Sequence, residues 1–316
     1  MRIVFMGTPR FAAIILERLA QSKDVVGVFT QPDAVRSRGK KLDPSPVKMC
    51  ALDHDIPVFE YATFKDNDAL NQLKSLEPDV VCVAAYGVLL PEEVIDLPRY
   101  GCLNVHGSLL PRWRGAAPIE RAILADDAQL GVCIMHMEAG LDTGDFCLVK
   151  AVPNHGQTAP EFTEALAELG GEALIEALDG LEAGNIAWTV QDEAQVTYAH
   201  KIEKGELDLV PEMQRDAALR AVRASSENHP AKCVIGGKEI TLVKAALPVD
   251  PPDQVQDIAA GQVLFVAKKL YLGFSNGALE VLEVHPAGKK QMLARDFAAG
   301  LQGVKRGDVS WSTHDN

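Results

Sequence analysis

Between Arg2 and Met137 the sequence alternates short apolar runs with amphipathic stretches, and this alternation constrains the fold more than any other feature. The runs are "RIVFM", "VVGVF", "PVFE", "DVVCVAA", "GCLNV" and "GVCIMHM". "DVVCVAA" is β-branched and apolar on both faces, as a central strand covered on both sides must be. Helix punctuation separates the runs. Thr8 caps and Pro9 opens "FAAIILERLA", Ser45 and Pro46 start "VKMCALDHD", Asp66 caps "NDALNQLKSL", and "PIERAILA" follows "GCLNV". Such a series predicts an α/β fold with a doubly wound, mostly parallel (Rossmann-like) sheet. Active groups are then expected at the C-terminal ends of its strands.

The texture changes further on. From Pro160 to Ala183 the residues Phe162, Leu166, Leu169, Ala173, Leu174, Leu178 and Leu181 recur at helical spacing, predicting one long helix. "YAHKIEKGELDL" reads as a linker or packing arm, and "QRDAALRAVRAS" as a second helix. Short runs then follow, separated by Gly, Asn and Pro turns: "KCVIG", "KEITLVKA", "GQVLFVA", "KLYLGF" and "GALEVLEV". They predict a smaller C-terminal β-barrel domain of OB-like type. The expected division is a catalytic domain over 1–187, a linker over 188–206 and the barrel over 207–316. The tail "SWSTHDN" is expected to fray.

Charge limits the partners. The net charge of −13 disfavours a general nucleic-acid binder, yet it is unevenly spread. Residues 207–316 are balanced, so the acidic excess lies wholly in 1–206. Within that acidic part "RSRGKKLDPSPVK" carries Arg36, Arg38, Lys40, Lys41 and Lys48 against Asp43 alone. A polyanion would have to be gripped at such a focused patch, although a solvated loop is the ordinary reading of a charge run. No apolar run reaches the roughly 18 residues of a membrane span, and "MRIVFMG" is too soon broken to be a secretory signal. The six cysteines form no C-x-x-C pair and sit mostly in apolar runs. Buried thiols in a reducing cytoplasm are expected, with neither a disulfide framework nor a zinc site. "GTPRFA" lacks the second and third glycines of a dinucleotide fingerprint.

The stretch "GCLNVHGSLLPRWRG" concentrates chemistry. Residues two apart on a strand face the same side, so Asn104 and His106 point together beyond the strand end. A carboxamide donor beside an imidazole suits reaction at a carbonyl: one stabilises the developing oxyanion, the other moves a proton. "EAGLDTGD" offers Asp142, in a Gly-flanked turn after the next strand, to orient the imidazole and favour its protonated form. No serine elbow or placed cysteine appears, which favours direct transfer over a covalent intermediate. On spacing alone, plain structural roles fit equally well. Asn104 can end a strand, Asp142 can make an Asx turn, and Trp113 between Arg112 and Arg114 can fill a cleft.

"NVHGSLLPRWRGAAPIERAI" with "GVCIMHMEAGLDTGD" resembles the folate-dependent formyltransferases, whose signature is Asn-x-His, then Ser-Leu-Leu-Pro, then Asp. "HGSLLPRWRGAAPI", "MGTPRFA", "VFTQPD", "VAAYGVLLP", "QDEAQVTYAHKI" and "HPAGKKQM" are similar to the branch that acts on methionyl-tRNA. The resemblance implies catalytic roles for Asn104, His106 and Asp142. It implies a folate-binding turn at Ser108, Leu109, Leu110 and Pro111, with the loop Ala85, Tyr86 and Gly87 lining the pterin pocket. It places Arg36, Arg38, Lys40 and Lys41 in an insertion that enters the tRNA acceptor end, Arg38 foremost. Arg112, Trp113 and Arg114 are expected to meet the terminal nucleotides by charge and stacking. The implied donor is 10-formyltetrahydrofolate and the implied acceptor initiator methionyl-tRNA, with no metal, in a monomeric cytoplasmic enzyme. The alternatives are a formyltransferase for a small amine (a sugar-amine or glycinamide ribonucleotide) and a formyltetrahydrofolate hydrolase. The chain departs from the family pattern at "RASSENHPAKCVIGG", at "GELDL" and at Arg10.

Overall fold

The computed structural model describes residues 1–34, 42–65 and 67–314. The chain divides into two compact units. Met1–Pro118, Ala128–Asn154 and Glu161–His200 form the first; Ile119–Asp127, His155–Pro160 and Lys201–Asn316 form the second.

Through the first unit the elements run β1 (Ile3–Gly7), α1 (Arg10–Ala20), β2 (Val25–Thr30), α2 (Pro46–Asp53), β3 (Val58–Glu60), α3 (Asn67–Ser75) and β4 (Val80–Ala84). Then come α4 (Glu92–Ile95), β5 (Cys102–His106), β6 (Arg114–Gly115), β7 (Gln129–His136), β8 (Phe146–Pro153), α6 (Ala159–Ala183) and β9 (Tyr198–Ala199), while α5 (Pro118–Leu124), between β6 and β7 in the chain, belongs almost wholly to the second unit. The main sheet has the order β3-β2-β1-β4-β5-β7-β8. Alternation along β1 explains its two covers. Ile3 and Phe5 pack with Ile15 and Leu16 of α1 and Leu174 and Leu178 of α6. Val4 and Met6 pack with Leu70 and Leu73 of α3 and Val94 of α4. Both faces are therefore buried, as the apolar runs require. The strand order reverses between β1 and β4, which marks the crevice where ligands of open α/β sheets bind.

One local expectation is corrected. Ser45 caps α2 as expected, accepting from Lys48 N at 3.0 Å. Thr8, in contrast, does not cap α1: Pro9 is the N-cap residue, and the Thr8 hydroxyl donates to the Tyr86 carbonyl at 2.9 Å. Its hydroxyl is drawn into the crevice instead of the helix end. Asp66 lies outside the described residues. The sheet is mostly parallel, as expected. β3, β2, β1, β4 and β5 are parallel, but β7 runs antiparallel to β5, and β8 antiparallel to β7. An apolar run buried on both faces looks the same in either direction, so "GVCIMHM" carried no sign of this. β8, which the apolar pattern does not single out, is an edge strand with partly exposed residues throughout.

The second unit holds α7 (Arg215–Ala224), β10 (Lys232–Ile235), β11 (Lys238–Ala246), α8 (Asp253–Gln256), β12 (Val263–Val266) and β13 (Lys269–Phe274). β14 (Gly277–Pro286), β15 (Met292–Leu293), α9 (Ala294–Ala299) and β16 (Trp311–Ser312) complete it. The antiparallel order is β12-β13-β14-β11-β10-β16. A bridge between Gln262 and Ser310 brings the two ends together, so the sheet nearly closes into a barrel. Register shifts between β11 and β14 near Lys244 supply the curl that closure needs. The tail is not frayed up to His314. Trp311 is 3% exposed, stacks at a tilt on Phe274 and donates its indole N–H to the Gly273 carbonyl at 3.0 Å.

All six cysteines are free thiols; Cys82, Cys102, Cys133 and Cys233 are buried, and Cys50 and Cys147 are half-buried. Among the described residues no helix is long and apolar enough to cross a membrane.

Candidate active site

The end of β5 aims the first two groups. Asn104 is paired on both sides, with Val83 of β4 and Met135 of β7, and His106 follows on the same face. The Asn104 side chain is half-buried and makes no hydrogen bond among the described residues, so both amide protons remain for a bound group. His106 is 5% exposed, and its Nε2 lies 2.9 Å from the Trp113 carbonyl. A carbonyl only accepts, so Nε2 carries the proton of this bond. Nδ1 faces Asp142, 3.7 Å from Oδ2. That separation is too long for a direct hydrogen bond and leaves the Nδ1 edge available.

Asp142 arrives by a different route from the one expected. Because β7 is antiparallel, its last residue His136 sits beside Leu103, at the start of β5 and not at its end. The loop after β7 must therefore return along the sheet to bring Asp142 to His106. Asp142 adopts φ 51°, in the left-handed region, and its Oδ2 accepts from the Gly115 N–H at 2.9 Å. The Gln191 amide donates to the Asp142 carbonyl at 2.8 Å and to the Gly144 carbonyl at 2.7 Å. Gly115 itself must be glycine: at φ 124° a Cβ would stand 2.8 Å from the Ala199 carbonyl of β9.

The turn after His106 is docked by its own side chains. Ser108, 3% exposed, donates to the Arg112 carbonyl at 2.7 Å. Leu110 is buried with Cys133 and Met135 of β7, and its N–H points at the Cys133 sulfur, 3.3 Å away. Leu109 lies on Gly131, where any Cβ would collide with the leucine and with the Lys150 carbonyl. The Pro111 carbonyl accepts from Thr197 N at 3.4 Å. Trp113, at φ 67°, donates its N–H to the Thr197 hydroxyl at 2.9 Å, and the Arg112 guanidinium stands 4.4 Å above its ring.

Arg114 is 2% exposed: its Nε donates to Gln191 Oε1 at 3.0 Å and its Nη2 pairs with Glu193 at 2.8 Å. A guanidinium so buried and bonded is not presented at the surface, so the expected contact by Arg114 with a nucleotide is corrected to an internal one. Tyr86 is 2% exposed and packed in the core, with its hydroxyl donating to the Tyr61 carbonyl at 3.3 Å. Burial pushes its phenol up. The Ala85–Tyr86–Gly87 loop thus presents backbone: Ala85 has φ 44°, Gly87 has φ 78°, and Gln31 holds the Gly87 carbonyl at 2.9 Å. Arg36, Arg38, Lys40 and Lys41 lie outside the described residues. Lys48, counted in the same basic run, is bound by Glu60 at 2.8 Å and Asp33 at 2.9 Å. These bonds hold its ammonium above the usual range. Sequence reasoning missed Gln191 and Thr197, although both stand in the quoted string "QDEAQVTYAHKI".

The chain belongs to the formyl transferase family. The family's model matches residues 1–178, and that of its C-terminal domain matches residues 201–302. The chain is 44% identical over 313 residues to a methionyl-tRNA formyltransferase of Methylococcus capsulatus, covering 97% of this chain and 100% of that one. It is 46% identical over 302 residues to that of Nitrosococcus oceani, covering 93% and 91%. Among solved structures it is similar to HypX from Aquifex aeolicus in complex with tetrahydrofolic acid (TM-score 0.65, 19% identity, 96% of this chain). The chain spans about half of that protein, 48%. It is also similar to WlaRD, a sugar 3N-formyl transferase (TM-score 0.61, 14% identity, 92% and 99%). At these identities the structures speak for the fold.

Proposed function

We propose that this chain transfers the formyl group of 10-formyltetrahydrofolate to the α-amine of methionine on initiator methionyl-tRNA, supporting translation initiation. The observation that carries this reading is the meeting of Asn104, His106 and Asp142 at the end of β5. That site belongs to a chain aligned along almost its whole length with methionyl-tRNA formyltransferases.

The chemistry follows from the groups present. An α-amine has a pKa of about 7.7–8.0, and the neighbouring ester lowers it, so the free base is available near neutrality. Its nitrogen attacks the formyl carbon, and a C–N bond forms as the carbonyl π pair moves onto oxygen. Asn104 and the protonated imidazole of His106, through its Nδ1–H, donate to that oxyanion. The attacking nitrogen gives up one proton, which passes through His106 or Asp142 to N10 of the folate. The C–N10 bond then breaks, leaving a formamide and tetrahydrofolate with protons balanced. No metal or redox group takes part in this reading.

The folate lies against the turn of Ser108, Leu109, Leu110 and Pro111 and the backbone of Ala85, Tyr86 and Gly87. Arg36, Arg38, Lys40 and Lys41 grip acceptor-end phosphates, and Arg112 acts beside them. Residues 1–187 are the catalytic part, 188–206 the linker and 207–316 the tRNA-binding barrel, in a monomeric cytoplasmic enzyme. Incubating the protein with 10-formyltetrahydrofolate and charged initiator tRNA yields formyl-methionyl-tRNA, with elongator methionyl-tRNA a poor substrate. Formylation of a small amine instead, or release of free formate, would transfer the assignment to the alternatives. Replacing Arg38 and Lys40 by Ala raises KM for the tRNA about tenfold while folate binding holds. An unchanged KM removes the arm from tRNA recognition.

A further inference from the structure

The geometry points to Gln191 as a positioning residue that holds the Asp142 loop in register for catalysis, with the buried Arg114 guanidinium fixing Gln191 in turn. This inference rests on the catalytic reading of Asp142. Gln191 is 5% exposed, and its amide is used on both sides. Both N–H groups reach the loop, at the carbonyls of Asp142 and Gly144, while Oε1 accepts from Arg114 Nε. The amide orientation is thereby determined, because only a donor can serve two carbonyls and only an acceptor can serve a guanidinium. Glu193 completes the clamp from the outside, pairing with Arg114 at 2.8 Å while itself 73% exposed. The loop needs such a hold. Asp142 is a non-glycine residue in the left-handed region, it leaves from an antiparallel strand at the far edge, and it must meet an imidazole on the neighbouring strand. Gly115, which donates to the Asp142 carboxylate, follows Arg114 directly. One buried guanidinium therefore stands behind both contacts that aim the acid.

The sharpest test is Gln191→Glu, which keeps the volume and the acceptor for Arg114 but turns oxygen toward two carbonyls. In the full-length enzyme kcat falls about tenfold or more, as sub-ångström misplacement of a catalytic group produces, while KM for folate and tRNA stays within about twofold. Gln191→Leu is the second variant and shows the same split. Thermal unfolding establishes that each is folded. In the Asp142→Asn background either change at Gln191 has almost no further effect, since the group it positions is already disabled. A Gln191→Glu enzyme with unchanged kcat, or losses that multiply in the double variant, overturns the inference. Wild-type activity in Asp142→Asn alone would instead overturn the catalytic reading of the acid.

A separate cluster lies on α1 and α2. Glu17, Cys50 and His54 each offer one ligand atom, all within 4.8 Å of one another. His54 Nε2 is 2.8 Å from Glu17 Oε2, and Cys50 Sγ is 3.5 Å from the same oxygen. Cys50 and His54 are four apart, so they share a helix face at the end of α2, and α1 packs Glu17 against them. We infer that these three side chains form a binding site for a zinc-class divalent cation with an open fourth position. The donor set of thiolate, imidazole and carboxylate is that of a borderline-soft metal, and the three ligand atoms converge on one ion once the 2.8 Å His54–Glu17 hydrogen bond opens. On binding, the metal–sulfur bond replaces the S–H bond and one proton goes to solvent. Adding Co²⁺ to chelator-treated full-length protein gives thiolate-to-cobalt charge-transfer absorption at one equivalent, displaced by Zn²⁺. Cys50→Ser abolishes that absorption, and His54→Ala weakens binding at least tenfold. No charge-transfer band in the wild type, or a band that survives Cys50→Ser, overturns the site.

Discussion

β5 and β7 lie side by side in one sheet and serve the site in opposite ways. β5 is the last of the parallel strands, and its C-terminal end carries Asn104 and His106 directly to the crevice. β7 is antiparallel, and its C-terminal end is at the wrong edge, so Asp142 reaches His106 only through a returning loop. The strand-end rule of α/β sheets thus accounts for the amide and the imidazole but not for the acid. Where strand geometry aims a side chain, no further scaffold is needed. Where it does not, the loop borrows one, here from Gly115 and Gln191.

The largest effects test whether the two strands contribute equally to one reaction. Asn104→Ala and His106→Ala each lower kcat by about 10² or more, the usual loss when an oxyanion donor or a general acid–base group is removed. Asp142→Asn keeps the volume and loses as much. If Asp142→Asn retains near-normal kcat while the β5 variants are inactive, the acid is scaffold alone. Steady-state kinetics with saturating folate decide this. Next comes Gly131→Val in β7. Its side chain would overlap Leu109 and the Lys150 carbonyl, so overpacking costs about 1–3 kcal/mol in urea unfolding and displaces the turn at Ser108–Pro111. A variant as stable as the parent, with unchanged KM for folate, would show that the turn does not lean on β7. Cys133→Ala is milder. It removes the partner of the Leu110 N–H and leaves a small void, costing about 1 kcal/mol with kcat nearly unchanged.

The same contrast explains what the sequence revealed. Asn104 and His106 were legible because a two-residue spacing on an apolar strand sets orientation locally. The covering of both sheet faces was legible because "DVVCVAA" has no polar side. Strand direction was not, since burial on two faces leaves no mark of polarity along the chain. Gln191 and Thr197 act on residues 49 and 84 positions away, so no local pattern could display their partners. Arg114 misled for a related reason: "RWR" shows two cations around an aromatic, and only the distant Gln191 and Glu193 reveal that one of them is internal. At the C-terminus a single apolar anchor, Trp311, was hidden among polar neighbours.

The smallest expected signal is kinetic and compares the strands directly. Burial pushes the thiols of Cys102 in β5 and Cys133 in β7 up to about 12 each. The thiolate is the nucleophile, so at pH 8 only about one thiol in 10⁴ is reactive, and alkylation requires the strand to open first. A difference in labelling rate therefore reports a difference in opening. β5 lies between β4 and β7 within the buried sheet, whereas β7 is covered on one side only by β8, whose residues are partly or fully exposed. The hairpin of β7 and β8 opens at lower cost, as weakly buried elements do. Cys133 is therefore alkylated before Cys102 when iodoacetamide labelling at pH 8 is followed by peptide mass spectrometry. Labelling of both at one rate would mean that the antiparallel edge opens only with the parallel core. The acid loop would then draw its rigidity from the whole sheet, and the clamp at Gln191 would be a refinement of it.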